Sequence, residues 1–279
     1  MEIFVTGASG YLGHAVVRCL TAAGHLVRPL TGDVLAVSDL PRVDAVVHLA
    51  AATRVRESFT DPVRYFQVNT TGTLNLLGAV PAATRFVLAS TASVYGSVTG
   101  AIPEDHPLAP QNPYAASKAA AESAVGWGSE SAVILRLFNL AGAVDGFGDP
   151  DATRILPRCV AAARGTVSHV DIHGPGTAVR DFVHVSDAAR AFVAAVERPE
   201  ASGVYNVGAI PASVNDIVAA TRRVTGSPVP VVHHPPHPGE AVDVRADTTR
   251  IRTELGWRPE HNTLDPLILS QYESTMDTP

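Results

Sequence analysis

Short apolar runs and longer helical stretches alternate through the first half of the chain. Ile3–Val5, Leu26–Leu30, Ala45–Leu49, Phe86–Ala89 and Ala132–Leu137 have strand length. Between them, His14–Ala23, Pro62–Val80 and Tyr114–Gly126 carry their apolar residues at helical spacing. Strands that alternate with helices, linked by right-handed crossovers, predict an α/β fold with a doubly wound parallel sheet. Runs such as Ala45–Leu49 are apolar on both faces, as a strand covered by helices on either side requires.

Past Asn139 the rhythm changes. Gly142–Pro150 and Gly174–Thr177 are glycine-rich, and Val229–Gly239 is proline-rich, so these stretches cannot hold helices or central strands. Helical spacing returns at Val185–Glu197, Ser213–Thr225 and Thr248–Leu255, without a regular strand rhythm. A larger sheet domain is expected from residues 1–140 plus about 178–210. A smaller, loop-rich C-terminal domain is expected from about 141–177 plus 211–279.

The first strand runs directly into Thr6-Gly7-Ala8-Ser9-Gly10-Tyr11-Leu12-Gly13, which opens a helix. Glycines at 7, 10 and 13 allow a tight turn, close backbone approach to a pyrophosphate, and close packing of helix on strand. Free N–H groups and the dipole of the helix N-terminus then favour the phosphates. The larger domain is thus a candidate Rossmann-type dinucleotide-binding domain, and the smaller one is left to hold a substrate. An acid normally follows at the end of the second strand to take the ribose 2′-hydroxyl. Here that strand ends Arg28-Pro29-Leu30-Thr31, and the nearest acid, Asp33, comes two residues late. NAD and NADP both stay open, with NAD favoured because no arginine stands just after Leu30.

Tyr114 and Lys118 lie four residues apart at the start of a helix and project from one face. An ammonium beside a phenol favours the phenolate, which would make Tyr114 an acid/base near neutral pH. The strand before that helix ends in Ser90-Thr91-Ala92-Ser93-Val94-Tyr95-Gly96, a source of hydroxyls to polarise a reacting oxygen.

In order along the chain, TGASGYLG, VVHLAA, NTTGT, STASVYG, YAASK and RDFVHV resemble the motifs of the extended short-chain dehydrogenases/reductases. The likeness is greatest to the NAD-dependent nucleotide-sugar epimerases, and it runs from residue 1 to about 258. It implies catalytic roles for Thr91, Tyr114 and Lys118, with Ser90 and Ser93 as fallback hydroxyls. Gly7, Gly10, Tyr11, Leu12, Gly13, Asp33, Leu49, Ala50, Ala51 and Asn69 would line the cofactor, together with Tyr114 and Lys118. Asn139 would contact the nucleotide-sugar, and Arg180 would hold its diphosphate, because a guanidinium suits bidentate phosphate recognition. The family's Arg-Pro-Gly-Asp/Glu motif reads His237-Pro238-Gly239-Glu240 here, so His237 stands where a clamp arginine is usual. The chain between Leu30 and Val43 is also far shorter than the family's.

The resemblance implies an epimerase working through a transient keto sugar; a sugar reductase or dehydrogenase is the alternative. A non-enzymatic dinucleotide-binding regulator would have no need of Thr91, Tyr114 and Lys118. Relatives that dehydrate sugars carry Thr-Asp-Glu where this chain has Thr91-Ala92-Ser93, which argues against dehydration. A homodimer built through the segments 62–80 and 114–129 is expected by the same likeness.

Composition narrows the partners. A net charge of −6 gives no sign of nucleic-acid binding, and no long apolar run predicts a membrane span. Cys19 and Cys159 read as small buried hydrophobes, which suits a cytoplasmic protein. His233, His234 and His237 read as a solvated loop rather than a metal site. His48, Asp181 and His184 read as structural, the last two orienting Arg180, and Trp127 and Trp257 read as caps on the core. Of 21 basic residues only one, Lys118, is a lysine.

Overall fold

A computed structural model describes residues 1–236 and 242–274. Its centre is a six-stranded parallel sheet built from β1 (Glu2–Thr6), β2 (Leu26–Pro29), β3 (Ala45–His48), β4 (Arg85–Thr91), β6 (Ala132–Leu137) and β12 (Gly203–Val207). The strand order is β12-β6-β4-β3-β1-β2. Successive residues of each strand feed opposite cores. Ile3, Val5, Val47, Val87 and Leu135 pack beneath α1 (Tyr11–Ala22) and α7 (Val185–Glu197). Phe4, Val46, Phe86, Leu88 and Ile134 pack beneath α4 (Gly72–Gly78) and α5 (Pro113–Gly128). That two-sided burial explains the near-continuous apolar strands.

The Pro62–Val80 helix forms in pieces. α2 (Val55–Ser58) precedes it, α3 (Pro62–Phe66) opens it, and a π-helical turn at Gln67–Thr71 leads into α4. Asn69 lies on that π turn, a distortion often found at functional positions. Between β2 and β3 there is no crossover helix, only a 3₁₀ turn at Val34–Ala36 capped by Asp33. Val34 packs directly on α4, where a Cβ at Gly72 would lie 2.7 Å from its Cγ1. β2 is consequently the outermost strand.

The second lobe has a sheet ordered β13-β11-β15-β5, comprising β13 (Ile210–Ser213), β11 (Val179–His184), β15 (Asp243–Ala246) and β5 (Gly100–Ile102). β7 (Asn139–Ala141) also pairs with β11. α6 (Ile155–Ala163), α8 (Val214–Thr225) and α10 (Leu264–Glu273) close its core around Leu156, Cys159, Ile217 and Leu267. α9 (Thr249–Glu254) returns to β12, and β8 (Ala143–Val144) with β9 (Phe147–Gly148) forms a small ribbon.

Several features differ from expectation. β11, at the start of the segment 178–210, pairs with β13 and β15 of the second sheet, while β12 at its end joins the central one. β10 (Val170–His173) and β14 (Val231–His234) pair in parallel, so His233 and His234 stand on a strand rather than in a loop. Trp257 is buried and donates from Nε1 to the Asp187 carbonyl at 2.8 Å, as a core cap would. Trp127 caps nothing. It is 92% exposed on the outer face of α5.

Candidate active site

The glycine turn sits where the strand order reverses, between β1 and β3. Gly7 has φ +68°, and a Cβ there would meet the Ala50 nitrogen at 2.7 Å. A Cβ on Gly13 would lie 2.0 Å from the Gly7 carbonyl oxygen. Only glycine fits either position. Gly10 caps α1 with no side-chain acceptor, which leaves the first-turn N–H groups to a ligand. Leu12 and Leu49 are partly buried against the adjoining core, and Ala50 and Ala51 follow in the same strand-end loop. The Tyr11 hydroxyl donates to the Gly142 carbonyl at 2.5 Å and ties the turn to the second lobe. The residues present therefore fit the diphosphate of a dinucleotide. Asp33 is exposed and its carboxylate accepts from the Leu35 N–H at 2.9 Å, so it serves the 3₁₀ turn.

Tyr114 and Lys118 share a face of α5, beside the end of β4. Tyr114 is half-buried, and Thr91 is the hydroxyl that favours its ionised phenol. Thr91 also caps the following 3₁₀ turn by accepting from the Ser93 N–H at 3.1 Å. The neighbouring Ser90 points to the other face of the sheet edge and donates to Glu122. Ser90 is thus engaged elsewhere, and Thr91 is the hydroxyl that acts on the phenol.

Burial pushes the Tyr114 phenol above its ordinary value, while the Thr91 hydrogen bond and the Arg154 charge pull it down. This differs from the expected lowering by Lys118. The ammonium is itself desolvated, only 2% exposed, and its proton affinity falls from the usual 10.5 to about 8.

A polar line runs beneath these residues. Thr6 Oγ1 lies 2.7 Å from His48 Nδ1, and His48 Nε2 lies 3.0 Å from Thr73 Oγ1. Thr73 donates to the Asn69 carbonyl at 2.6 Å. The Asn69 amide is fully buried and bonded at both ends: Oδ1 accepts from the Ala52 N–H at 2.8 Å, and Nδ2 donates to Ala52 O and Ser117 Oγ. Ser117 in turn donates to the Tyr114 carbonyl at 2.8 Å. Burial drops His48 to about 3, so it is neutral and structural.

On the substrate side, Asn139 is exposed on β7 and donates to the Asp181 carbonyl at 2.9 Å. Arg180 is half-buried on β11, with Nη1 on the Val179 carbonyl at 2.9 Å. Asp181 accepts from the Ala209, Ile210 and Ala246 N–H groups and knits strands together, a structural role. His184 bonds Ser186 and Ser270. His237 lies outside the described residues. Among those described, no group of His, Cys, Asp and Glu side chains has the arrangement of a metal site.

Residues 3–208 match the NAD dependent epimerase/dehydratase family. The chain belongs to that family. It is 34% identical to the UDP-glucose 4-epimerase of Lacticaseibacillus casei, over 96% of this chain and 95% of that protein. The alignment spans 313 positions against 279 residues here, so the relative carries segments this chain lacks. The short β2–β3 connection is in keeping with that. Among solved structures, MoeE5 in complex with UDP-glucose and NAD superposes with a TM-score of 0.88 at 30% identity, covering 99% of this chain and 98% of that one. UDP-glucose 4-epimerase from Brucella ovis in complex with NAD gives 0.87 at 30% identity, covering 97% of each.

Sequence reasoning missed Ser117, Glu122 and Arg136 as parts of this region. Ser117 was visible inside YAASK, but its partner Asn69 is 48 residues away. Glu122 follows Lys118 by one turn, which spacing alone could have flagged.

Proposed function

We propose that the protein is an NAD-dependent epimerase of a nucleotide-linked sugar, with Tyr114 as acid/base. The observation that carries this reading is a half-buried phenol one helical turn from a buried lysine, in a chain whose glycine turn is shaped for a diphosphate. When bound, NAD supplies reversible acceptance of hydride from a carbinol carbon. The residues of this chain manage the proton and the orientation. Tyr114 as phenolate takes the hydroxyl proton of the sugar carbon being oxidised, leaving a ketone. Thr91 shares its hydroxyl with the reacting oxygen, and the Lys118 ammonium offsets the phenolate charge. Asn139 and Arg180 hold the diphosphate, about which the keto sugar turns to present its other face. Tyr114 then returns the proton to the oxygen as the carbon is reduced.

Denaturing the purified protein and identifying the released nucleotide by mass spectrometry tests this, together with interconversion of UDP-glucose and UDP-galactose. Stoichiometric NAD with interconversion of a nucleotide sugar supports it. An empty protein that binds NADPH reversibly and reduces a keto sugar overturns it in favour of a reductase.

The working unit we propose is a homodimer. Phe59, Val63, Phe66 and Leu74 from α2–α4 and Trp127 from α5 leave large apolar side chains exposed on two helical segments that pack side by side. A second copy of the same face would cover them. No helix among the described residues is long and apolar enough to cross a membrane. Free Cys19 and Cys159 support a cytoplasmic setting.

A further inference from the structure

α5 carries a buried acid that the proposed reaction does not use. Glu122 lies one turn beyond Lys118 and is 5% exposed. Its carboxylate accepts from Arg136 Nη2 at 2.7 Å and from Arg136 Nε at 3.1 and 3.2 Å, as well as from Ser90 Oγ. Arg136 rises from β6 directly opposite Ser90 of β4 and is equally buried. Its other guanidinium nitrogen donates to the Tyr95 hydroxyl at 2.8 Å and to the Glu104 carbonyl at 2.9 Å. A buried ion pair of this kind is often matched in stability by apolar residues of similar volume, so the fold alone does not require it.

What the pair has beside it is Lys118. Around that ammonium, α5 supplies Tyr114 and Glu122. On the strands packed against α5, β3 carries the neutral His48, β4 the uncharged Ser90 that bonds Glu122, and β6 Arg136 behind Glu122. Among the described residues, Glu122 is the anion whose charge favours protonated Lys118, against a burial that disfavours it. The carboxylate forms its salt bridge with Arg136, so its field at Lys118 is moderated by the guanidinium.

We propose that Glu122, held by Arg136 one helical turn beyond Lys118, is a positioning residue that acts on the site through the Lys118 ammonium. The assignment rests on the reading of Lys118 as part of the reaction centre, but its test needs no substrate. Because Lys118 is the only lysine, protein grown on lysine labelled with carbon-13 at Cε gives a single lysine side-chain signal. Its pH titration is followed in the wild type, Glu122→Gln and Arg136→Gln, with Glu122→Asp as the milder change.

Removing the anion should lower the midpoint by about one pH unit, a tenfold loss of proton affinity. Glu122→Asp should move it less, in the same direction. Freeing the carboxylate with Arg136→Gln should raise it. A damaged fold does not produce opposite shifts. An unchanged midpoint in Glu122→Asp and Arg136→Gln, or shifts of the same sign in the Glu122 and Arg136 variants, overturns the proposal. Opposite shifts in a protein that epimerises no sugar would keep the tuning and discard the proposed reaction.

Discussion

Asn69 Nδ2 donates to Ser117 Oγ across 2.9 Å, and this bond joins the π turn to the helix that carries Tyr114. Ser117 passes the connection on to the Tyr114 carbonyl, so the backbone under the phenol is fixed from a strand-end loop on the far side of the cofactor turn. Ser117→Ala strands a buried amide N–H, which costs about 1–3 kcal/mol. Thermal unfolding should show that loss, and kcat should fall while KM for the sugar changes little. An unaltered Tm and kcat would show that the bond positions nothing.

Lys118 trades stability for chemistry. Its folded proton affinity, about 8, lies below the ordinary 10.5, so the unfolded chain binds more protons between those values. Stability should therefore climb as pH rises through that window, and the penalty is fully present below it. Lys118→Met should remove this slope and stabilise the protein at pH 7 by at most about 3 kcal/mol, while epimerisation disappears. Lys118→Arg keeps a charge but not the compact ammonium and should also lose most activity. Denaturant titrations at pH 7 and 9.5 decide the first point, and turnover assays the second.

His48 sets an acid limit. It is buried between Thr6 and Thr73 and protonates only near pH 3, against 6.5 when unfolded. The unfolded state gains a proton first as pH falls, so stability should decline from about 6.5 toward 3. His48→Asn should flatten that decline by up to one proton. An identical pH dependence in the variant would assign the acid sensitivity elsewhere.

Glycines in the turn are not equivalent. Gly13→Ala drives a Cβ into the Gly7 carbonyl, whereas a Cβ on Gly10 meets its nearest atom, the same oxygen, at 3.3 Å. Gly13→Ala should abolish NAD binding and Gly10→Ala should weaken it several-fold. Calorimetric titration with NAD, or the Tm rise that NAD produces, separates the two.

Trp127→Asp places a charge in the proposed dimer face at a fully exposed position. The variant should keep the wild-type Tm of an isolated fold yet elute as a monomer in light-scattering chromatography. A dimer that persists unchanged would move the interface to another surface.

Most of the central sheet was legible because β1, β3, β4 and β6 each hold a run of three or more consecutive apolar residues. Ala132–Leu137 and Val185–Glu197 coincide with the observed elements residue for residue. β12 escaped because Gly203–Val207 is short and includes Asn206, whose side chain bonds Tyr95 and the Ile102 carbonyl, partners a hundred residues distant. His233 and His234 gave no strand signal because their pairing with β10 is made across sixty residues. Tyr114 and Lys118 were readable because helical spacing is local. The Glu122–Arg136 pair joins a helix to a strand, and Trp127 reveals its exposure only when the faces of α5 are known. The direction of the Tyr114 shift was missed for a related reason. Spacing shows which charge is near but not how much water has been excluded.

The shortened path from β2 to β3 leaves β2 as an open border of the sheet, with one side of its backbone free to recruit another strand. Self-association of that kind is countered within the strand itself. β2 is four residues long, Pro29 removes a donor at its end, and Arg28 holds a charge pair with Glu2 at the rim. Leu26 remains exposed beside them. A chain trimmed at this place therefore depends on Arg28 and Pro29 as gatekeepers against aggregation, and replacing both with valine should turn a loop deletion that the fold tolerates into a route to fibrils.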